Sequence, residues 1–232
     1  MQHLESSREF ETKSAQDIVR WTAERFGSKA ALASSFGAED MVLTDMISKA
    51  EPKITIFTLD TGRLPEETYK LMDETRRRYN MAIQVYFPDT KKTEEMVTKH
   101  GLNLFYDSVE NRKICCGIRK VESLNRALND KNAWLTGLRR DQTFTRTDTE
   151  KIAVDTDHNG ILKISPLADW NPRQIWDYIR ENNVPYNELH DKGYPSIGCE
   201  PCTRAVKEGE AIRSGRWWWE EGAKECGLHH KH

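Results

Sequence analysis

The chain has 232 residues, enough for one substantial core, and by the usual length of domains it forms one domain or a domain with a large appendage. Charged side chains make up 31% of it and the formal net charge is −2, so the overall balance speaks against a nucleic-acid or membrane-surface partner, and any anion site has to be local. The N-terminal "MQHLESSREFETKS" holds no apolar core of signal-peptide length and no run approaches a membrane span. That reads as a cytoplasmic protein, in which structural disulfides are rare and cysteines are more often metal ligands or catalysts.

In chain order, Ser14 opens a helical stretch with Asp17 in a capping-box-like position, apolar or small residues at Ala15, Ile18, Val19, Ala23 and Phe26, and a stop at Gly27. "KAALASSF" reads as a buried strand ending in a turn at Gly37. Val42, Leu43, Met46, Ile47 and Ala50 follow at helical spacing, "KITIFTLD" is a β-rich run, and Pro65 sits where the next helix begins. "MAIQVYF" is the next strand, a helix runs near Ile118 to Leu128, and "NAWLTGL" is a further strand. "KIAVDTD" and "ILKIS" make a hairpin around Asn159-Gly160, and "NPRQIWDYIREN" is a helix capped by Asn171 with Pro172 at its first position. Strand and helix alternate, which predicts an α/β fold with a mainly parallel sheet and helices on both faces.

In such folds ligands bind beyond the carboxyl ends of the strands, where turns into helices offer free N–H groups to a phosphate. The two candidate turns are "SSFGAED" (Ser34, Ser35, Phe36, Gly37 and on to Asp40) and "LDTGR" (Leu59, Asp60, Thr61, Gly62, Arg63). Taken alone, either reads first as a plain strand-to-helix connection, and it is their combination with the cysteines and "GLRRDQTFTR" that favours a binding site.

The five cysteines add more. Cys115 and Cys116 are adjacent, Cys199 and Cys202 form C-x-x-C, and Cys226 stands alone in "KECGLHHKH" near the end. Neighbouring cysteines do not bridge each other comfortably. Two close pairs suggest a metal centre, either a structural zinc held by four thiolates or a cluster in which each thiolate takes its own iron. The divergence of adjacent side chains favours the cluster, since zinc pairs usually have two to four residues between them. Around Cys226, Lys224, His229, His230 and Lys231 supply positive charge that favours a thiolate, and Gly222 and Gly227 let the segment move. His230 and His232 are given no role. Arg139, Arg140 and Arg146 in "RRDQTFTR", with Arg213 and Arg216 ahead of three tryptophans, are the candidate cations for an anionic substrate. Trp217 to Trp219 are too apolar to stay exposed and are expected to pin the base of the tail to the body.

Together "SSFGAED", "LDTGR", "KICCGIRK", "TGLRRDQTFTR", "PLADWNPRQIWDYI", "GYPSIGCEPCTR", "GRWWWE" and "ECGLH" strongly resemble the assimilatory adenylyl-sulfate reductases, the thioredoxin-dependent kind with an iron-sulfur cluster. The resemblance runs from about Ala30 to His229. It implies an adenosine nucleotide α-hydrolase-like (PP-loop) fold, with a reductase domain over 29–205 and a mobile tail over 206–232; residues 1–28 read as a helical segment that carries no motif. It implies one 4Fe-4S cluster per chain, ligated by Cys115, Cys116, Cys199 and Cys202. With four protein ligands no iron keeps an open position for substrate, so the cluster's part is electrostatic and structural. The implied reaction is reduction of adenosine 5′-phosphosulfate (APS) to sulfite and AMP in sulfate assimilation, with the Cys226 thiolate as nucleophile and thioredoxin or a glutaredoxin-like protein as reductant. Lys120, Arg146, Arg216 and His229 are the favoured phosphosulfate contacts, with Arg139, Arg140 and Arg213 as further candidates, and the two turns hold the adenosine and its α-phosphate. The 3′-phosphorylated substrate (PAPS) is the near alternative. An ATP-using tRNA-thiolating PP-loop enzyme would be expected to carry an S-G-G-x-D-S type loop where this chain has "SSFGAED", and in a zinc-stabilised nucleotide-binding module Cys226 would be dispensable. A homo-oligomer is left open.

Overall fold

The computed structural model describes residues 7–221 and Leu228. Its helices and strands run α1 (Ser7–Glu11), α2 (Ala15–Phe26), β1 (Ala30–Ala33), α3 (Ala38–Ser48), β2 (Thr55–Leu59), α4 (Glu66–Tyr79), β3 (Ile83–Tyr86), α5 (Thr90–His100), α6 (Val109–Cys116), α7 (Glu122–Leu128), β4 (Ala133–Leu135), β5 (Ile152–Asp155), β6 (Ile161–Ile164) and α8 (Pro172–Glu181). One sheet forms in the order β3-β2-β1-β4-β6-β5, parallel except where β5 and β6 pair as a hairpin. This is the α/β architecture that the alternation predicts. Because β1 pairs with β2 on one side and β4 on the other, the strand order reverses at β1, and a crevice opens beyond the carboxyl ends of β1 and β4.

Strand side chains alternate faces, and both faces here are covered. Ala30, Leu32, Ile56, Ala133 and Leu135 join α2, α3 and α8 residues such as Ile18, Leu43 and Ile175 in the larger core. Their strand neighbours Ala31, Phe57 and Trp134 pack on Leu124, Ala127 and Leu128 of α7 on the other face. Two-sided burial is why these strands read as continuous apolar runs.

Local signals set the ends of several elements. The Ser14 hydroxyl accepts from Asp17 N, and Asn171 and Gln174 cap α8 reciprocally with Pro172 at its first position. Pro65 is the residue just before α4. Asn159 and Gly160 both take left-handed conformations at the hairpin (φ 58° and 72°). Two helices lack a periodic signal in the sequence. α5 buries Met96 and little else, and the expected helix near Ile118 starts at α6, capped by Ser108, and reaches α7 through a π-helical turn over Gly117–Val121. Such turns are frequent at functional sites, and this one follows directly on Cys116. Among the described residues no helix is long and apolar enough to cross a membrane.

Candidate active site

A cleft of about 230 Å³ lies at the crevice between β1 and β4. Ser34, Ser35 and Gly37 line it where β1 turns into α3, Thr58 and Leu59 where β2 ends, and Gly137 and Leu138 where β4 ends. The first turn is tied by a buried carboxylate: Asp40 Oδ2 accepts from Ser35 N at 2.6 Å and from Ser35 Oγ at 2.7 Å. Gly137 N also donates to Asp40, and a Cβ at Gly137 would come within 2.5 Å of Asp40 Oδ1, so only glycine fits. Burial pushes the Asp40 carboxyl up to about 6 against these donors. Phe36 turns with φ 59°, its ring buried in the core and its N–H donating to Ser34 Oγ at 3.2 Å. The backbone there is held in a region that non-glycine residues seldom occupy.

Cys115 and Cys116 end α6, and Cys199 and Cys202 bracket a 3₁₀ turn (Glu200–Cys202). All four face one small cavity of about 20 Å³, together with Arg63, Arg112 and Arg119, and none forms a disulfide. Among the described residues no three His, Cys, Asp or Glu side chains converge closely enough to hold a single metal ion. Burial pushes the Cys202 thiol up to about 12 and raises Cys115, with Cys199 adding to both. Trp217 seals this cavity, 1% exposed, between the guanidinium groups of Arg112 (4.6 Å) and Arg216 (4.8 Å). Arg112 is itself fixed by Glu220 at 2.7 and 3.0 Å, both side chains buried. Lys120, Arg216 and Trp217 line both the cavity and the cleft, so one thin wall separates them.

The structure sorts the sequence-predicted cations. Lys120, Arg146, Arg213 and Arg216 line the cleft. Arg216 lies against the backbone of Gly198, where a Cβ would sit 2.1 Å from Nη2, and its Nε is buried with no hydrogen-bond partner among the described residues. Arg139 and Arg140 do not line the cleft. Arg139 is buried in bonds to Glu39, Asp141 and the Trp170 carbonyl, and Arg140 binds Glu11 and the Thr149 carbonyl. Of the "LDTGR" turn only Leu59 is in the cleft wall. Asp60 accepts from Gly62 N and Tyr69, Thr61 Oγ1 is 3.2 Å from Cys199 Sγ while its carbonyl accepts from Arg119, and Arg63 reaches the Leu102 carbonyl and Asn103. This turn therefore buttresses the cysteine cavity. Glu39, Gln142 and His190 also line the cleft, and sequence reading passes over them because an isolated polar residue carries no spacing signal. Cys226 and His229 lie outside the described residues. Leu228, two residues after Cys226, packs in the cleft against Phe57, Leu124 and Trp134. Trp217 is buried and Trp219 packs on Phe105 and Tyr106, so both hold this stretch to the body, while Trp218 is 39% exposed.

A mostly parallel sheet whose strand order reverses beside a cleft, with helices on both faces, is an α/β fold of the adenosine nucleotide α-hydrolase-like (PP-loop) class, and solved structures share it. An FMN adenylyltransferase from Candida glabrata matches with a TM-score of 0.58 at 15% identity (100% of this chain, 79% of that one), a likeness of fold alone. The chain belongs to the phosphoadenosine phosphosulfate reductase family, whose domain matches residues 29–205. It is 52% identical over 200 residues to an adenosine 5′-phosphosulfate reductase of Allochromatium vinosum (86% of this chain, 78% of the relative), and 46% identical over 223 residues to one of Pseudomonas aeruginosa (94% and 82%). A phosphoadenylyl-sulfate reductase from Candida auris, solved with phosphate, superposes with a TM-score of 0.73 at 33% identity over 86% of this chain and 94% of that one.

Proposed function

We propose that this chain reduces adenosine 5′-phosphosulfate to sulfite and AMP in sulfate assimilation. The observation that carries the reading is the shared wall: the cations Lys120 and Arg216 stand between a nucleotide cleft and four gathered thiols. An anion in the cleft would meet Arg216, whose buried Nε has no hydrogen-bond partner among the described residues, and a buried donor is costly to leave unpaired. Relatives named for APS at about half identity support this substrate over its 3′-phosphorylated analogue.

The residues present fit a 4Fe-4S cluster. Four cysteine side chains face one cavity, brought there in two pairs by the end of α6 and by the turn at Glu200–Cys202, and four thiolates are the donor set that gives each iron of such a cluster one ligand. The ligands would be Cys115, Cys116, Cys199 and Cys202, and when bound the group would supply fixed charge and hold the two cysteine segments together. Lys120, Arg146, Arg213 and Arg216 bind and orient the phosphosulfate, guanidinium forks suiting its oxygens. The Cys226 thiolate then attacks the sulfur, the bond from sulfur to the bridging oxygen breaks, and AMP leaves with that electron pair under the pull of these cations. A dithiol protein such as thioredoxin attacks the resulting S-sulfocysteine, is oxidised to its disulfide, and releases sulfite. Leu228 in the cleft supports a nucleophile two residues away in the chain.

Anaerobically purified protein should contain about four irons per chain, and mixed with APS without reductant it should release one AMP per chain and gain a sulfite adduct on the C-terminal peptide. Cys226→Ser should keep its iron and form no adduct by intact mass. Stoichiometric zinc would overturn the cluster, and an adduct on the serine variant would overturn the nucleophile.

A further inference from the structure

Arg146 reaches the cleft from the loop between β4 and β5, which holds only two short 3₁₀ turns (Arg140–Gln142 and Phe144–Arg146). A connection of this length keeps one position only where contacts fix it. Its far side is tied from within. Arg140 Nε donates to the Thr149 carbonyl at 2.8 Å, and Thr149 donates to the Arg146 carbonyl from its N–H at 3.0 Å and from its hydroxyl at 2.7 Å. The backbone that bears Arg146 is thereby joined to Arg140.

What holds Arg140 comes from a much earlier segment. Glu11, the last residue of α1, accepts from Arg140 Nη2 through Oε2 at 2.6 Å and from Lys151 N through Oε1 at 3.0 Å, so one carboxylate spans the loop. Lys151 secures α1 in return: its buried ammonium donates to the carbonyls of Glu11 at 3.1 Å and Lys13 at 2.9 Å and pairs with Asp169 at 2.8 Å. Phe10, buried and edge-on to Trp21 at 4.6 Å, pins α1 to α2. Against the cost of burial, the Lys151 N–H and the Arg140 guanidinium hold the Glu11 carboxyl below its ordinary range, so it is charged near pH 7. An ionised carboxylate accepts through both oxygens, whereas an amide there would turn its NH₂ group toward one of the two donors.

We propose that Glu11 is a positioning residue for the reaction: by joining Arg140 to Lys151 it closes the β4–β5 loop, and through Arg140 and Thr149 it sets where Arg146 stands in the cleft. The proposal rests on the reading of Arg146 as a phosphosulfate contact. It gives a role to a stretch that lies before the family domain, which begins at residue 29.

The test is a double-mutant cycle on anaerobically purified holoenzyme, with kcat/KM for APS measured under excess dithiol reductant. Glu11→Gln should lower kcat/KM by about tenfold to a hundredfold, since misplacing a positioning group by about 1 Å costs up to about a hundredfold. On an Arg146→Ala background the same change should cost less than about twofold, because its route of action is already gone. A merely structural role would cost the same on both backgrounds, so equal costs overturn the proposal, as do wild-type kinetics in Glu11→Gln. Arg140→Ala breaks the same chain of bonds from its other end and should reproduce the loss, which keeps the test decisive if Glu11→Gln does not fold. Limited trypsin digestion reads the loop without turnover: cleavage after Arg146 should be faster in either variant than in wild type, with cleavage after Lys99 in α5 unchanged. Equal cleavage after Arg146 would overturn the proposal. If wild type turns over APS and Arg146→Ala is no slower, the role of Arg146 and this proposal fall while the activity stands. If wild type neither binds AMP nor consumes APS, the reading of the cleft falls first.

Discussion

The cleft is held mainly by backbone, through the ends of β1, β2 and β4, the Phe36 and Gly137 turns, and N–H groups gathered on Asp40. The cysteine cavity across the wall is held by side chains from distant segments: the Arg112–Glu220 pair, the Trp217 ring between two guanidinium groups, and Thr61 and Arg119 bracing Cys199. The first is a property of the sheet, and the fold that carries the sheet recurs at low sequence identity. The second depends on individual buried charges, and such a site is more exposed to single substitutions because a buried ion left without its partner is costly.

That contrast breaks most sharply at Arg112. Arg112→Ala leaves Glu220 charged and buried and removes one face of the Trp217 stack, and should cost about 3–5 kcal/mol. Adding Glu220→Gln should recover part of the loss in urea unfolding of the two variants. Equal stability of Arg112→Ala and wild type would mean the cavity is not held by this pair.

Next in size is Gly198→Ala. A methyl group there meets Arg216 Nη2 at 2.1 Å, so the guanidinium must leave the shared wall. A displacement of about 1 Å at a substrate-positioning group costs about a hundredfold, and kcat/KM for APS should fall by that order while AMP still binds the β1 end. Unaltered kinetics would show that the position of Arg216 in the wall does not matter.

The smallest effect sharpens the cleft side. The Asp40 carboxyl is pushed up to about 6 by burial, above its unfolded value, so its contribution to stability is fullest at low pH and is lost as pH rises through about 6. Relative to Asp40→Asn, wild type should lose about 2 kcal/mol between pH 4 and pH 7, read from urea unfolding at each pH. A constant difference would mean that the donors of Ser35 and Gly137 fully offset the burial.

By itself the sequence determined the α/β alternation, the caps of α2 and α8, the hairpin at Asn159-Gly160 and the two cysteine pairs, because each rests on local periodicity or on side chains a few residues apart. It also marked two turns, of which "SSFGAED" lines the cleft and "LDTGR" lies mostly on the cysteine side. Only the tertiary structure decided which cations face the cleft. Arg139 and Arg146 belong to one motif, yet Arg139 is taken up by Glu39 a hundred residues earlier, while Arg146 reaches the cleft. A buried charge goes to whatever partner packing brings within hydrogen-bond reach, and no spacing within a motif records a partner from another segment. The same holds for the wall of Lys120, Arg216 and Trp217, which joins a π-helical turn to a segment that returns beside Cys202, where Thr203 bridges to Arg216. Their side chains meet because the sheet brings their segments together, and that proximity is written nowhere along the chain.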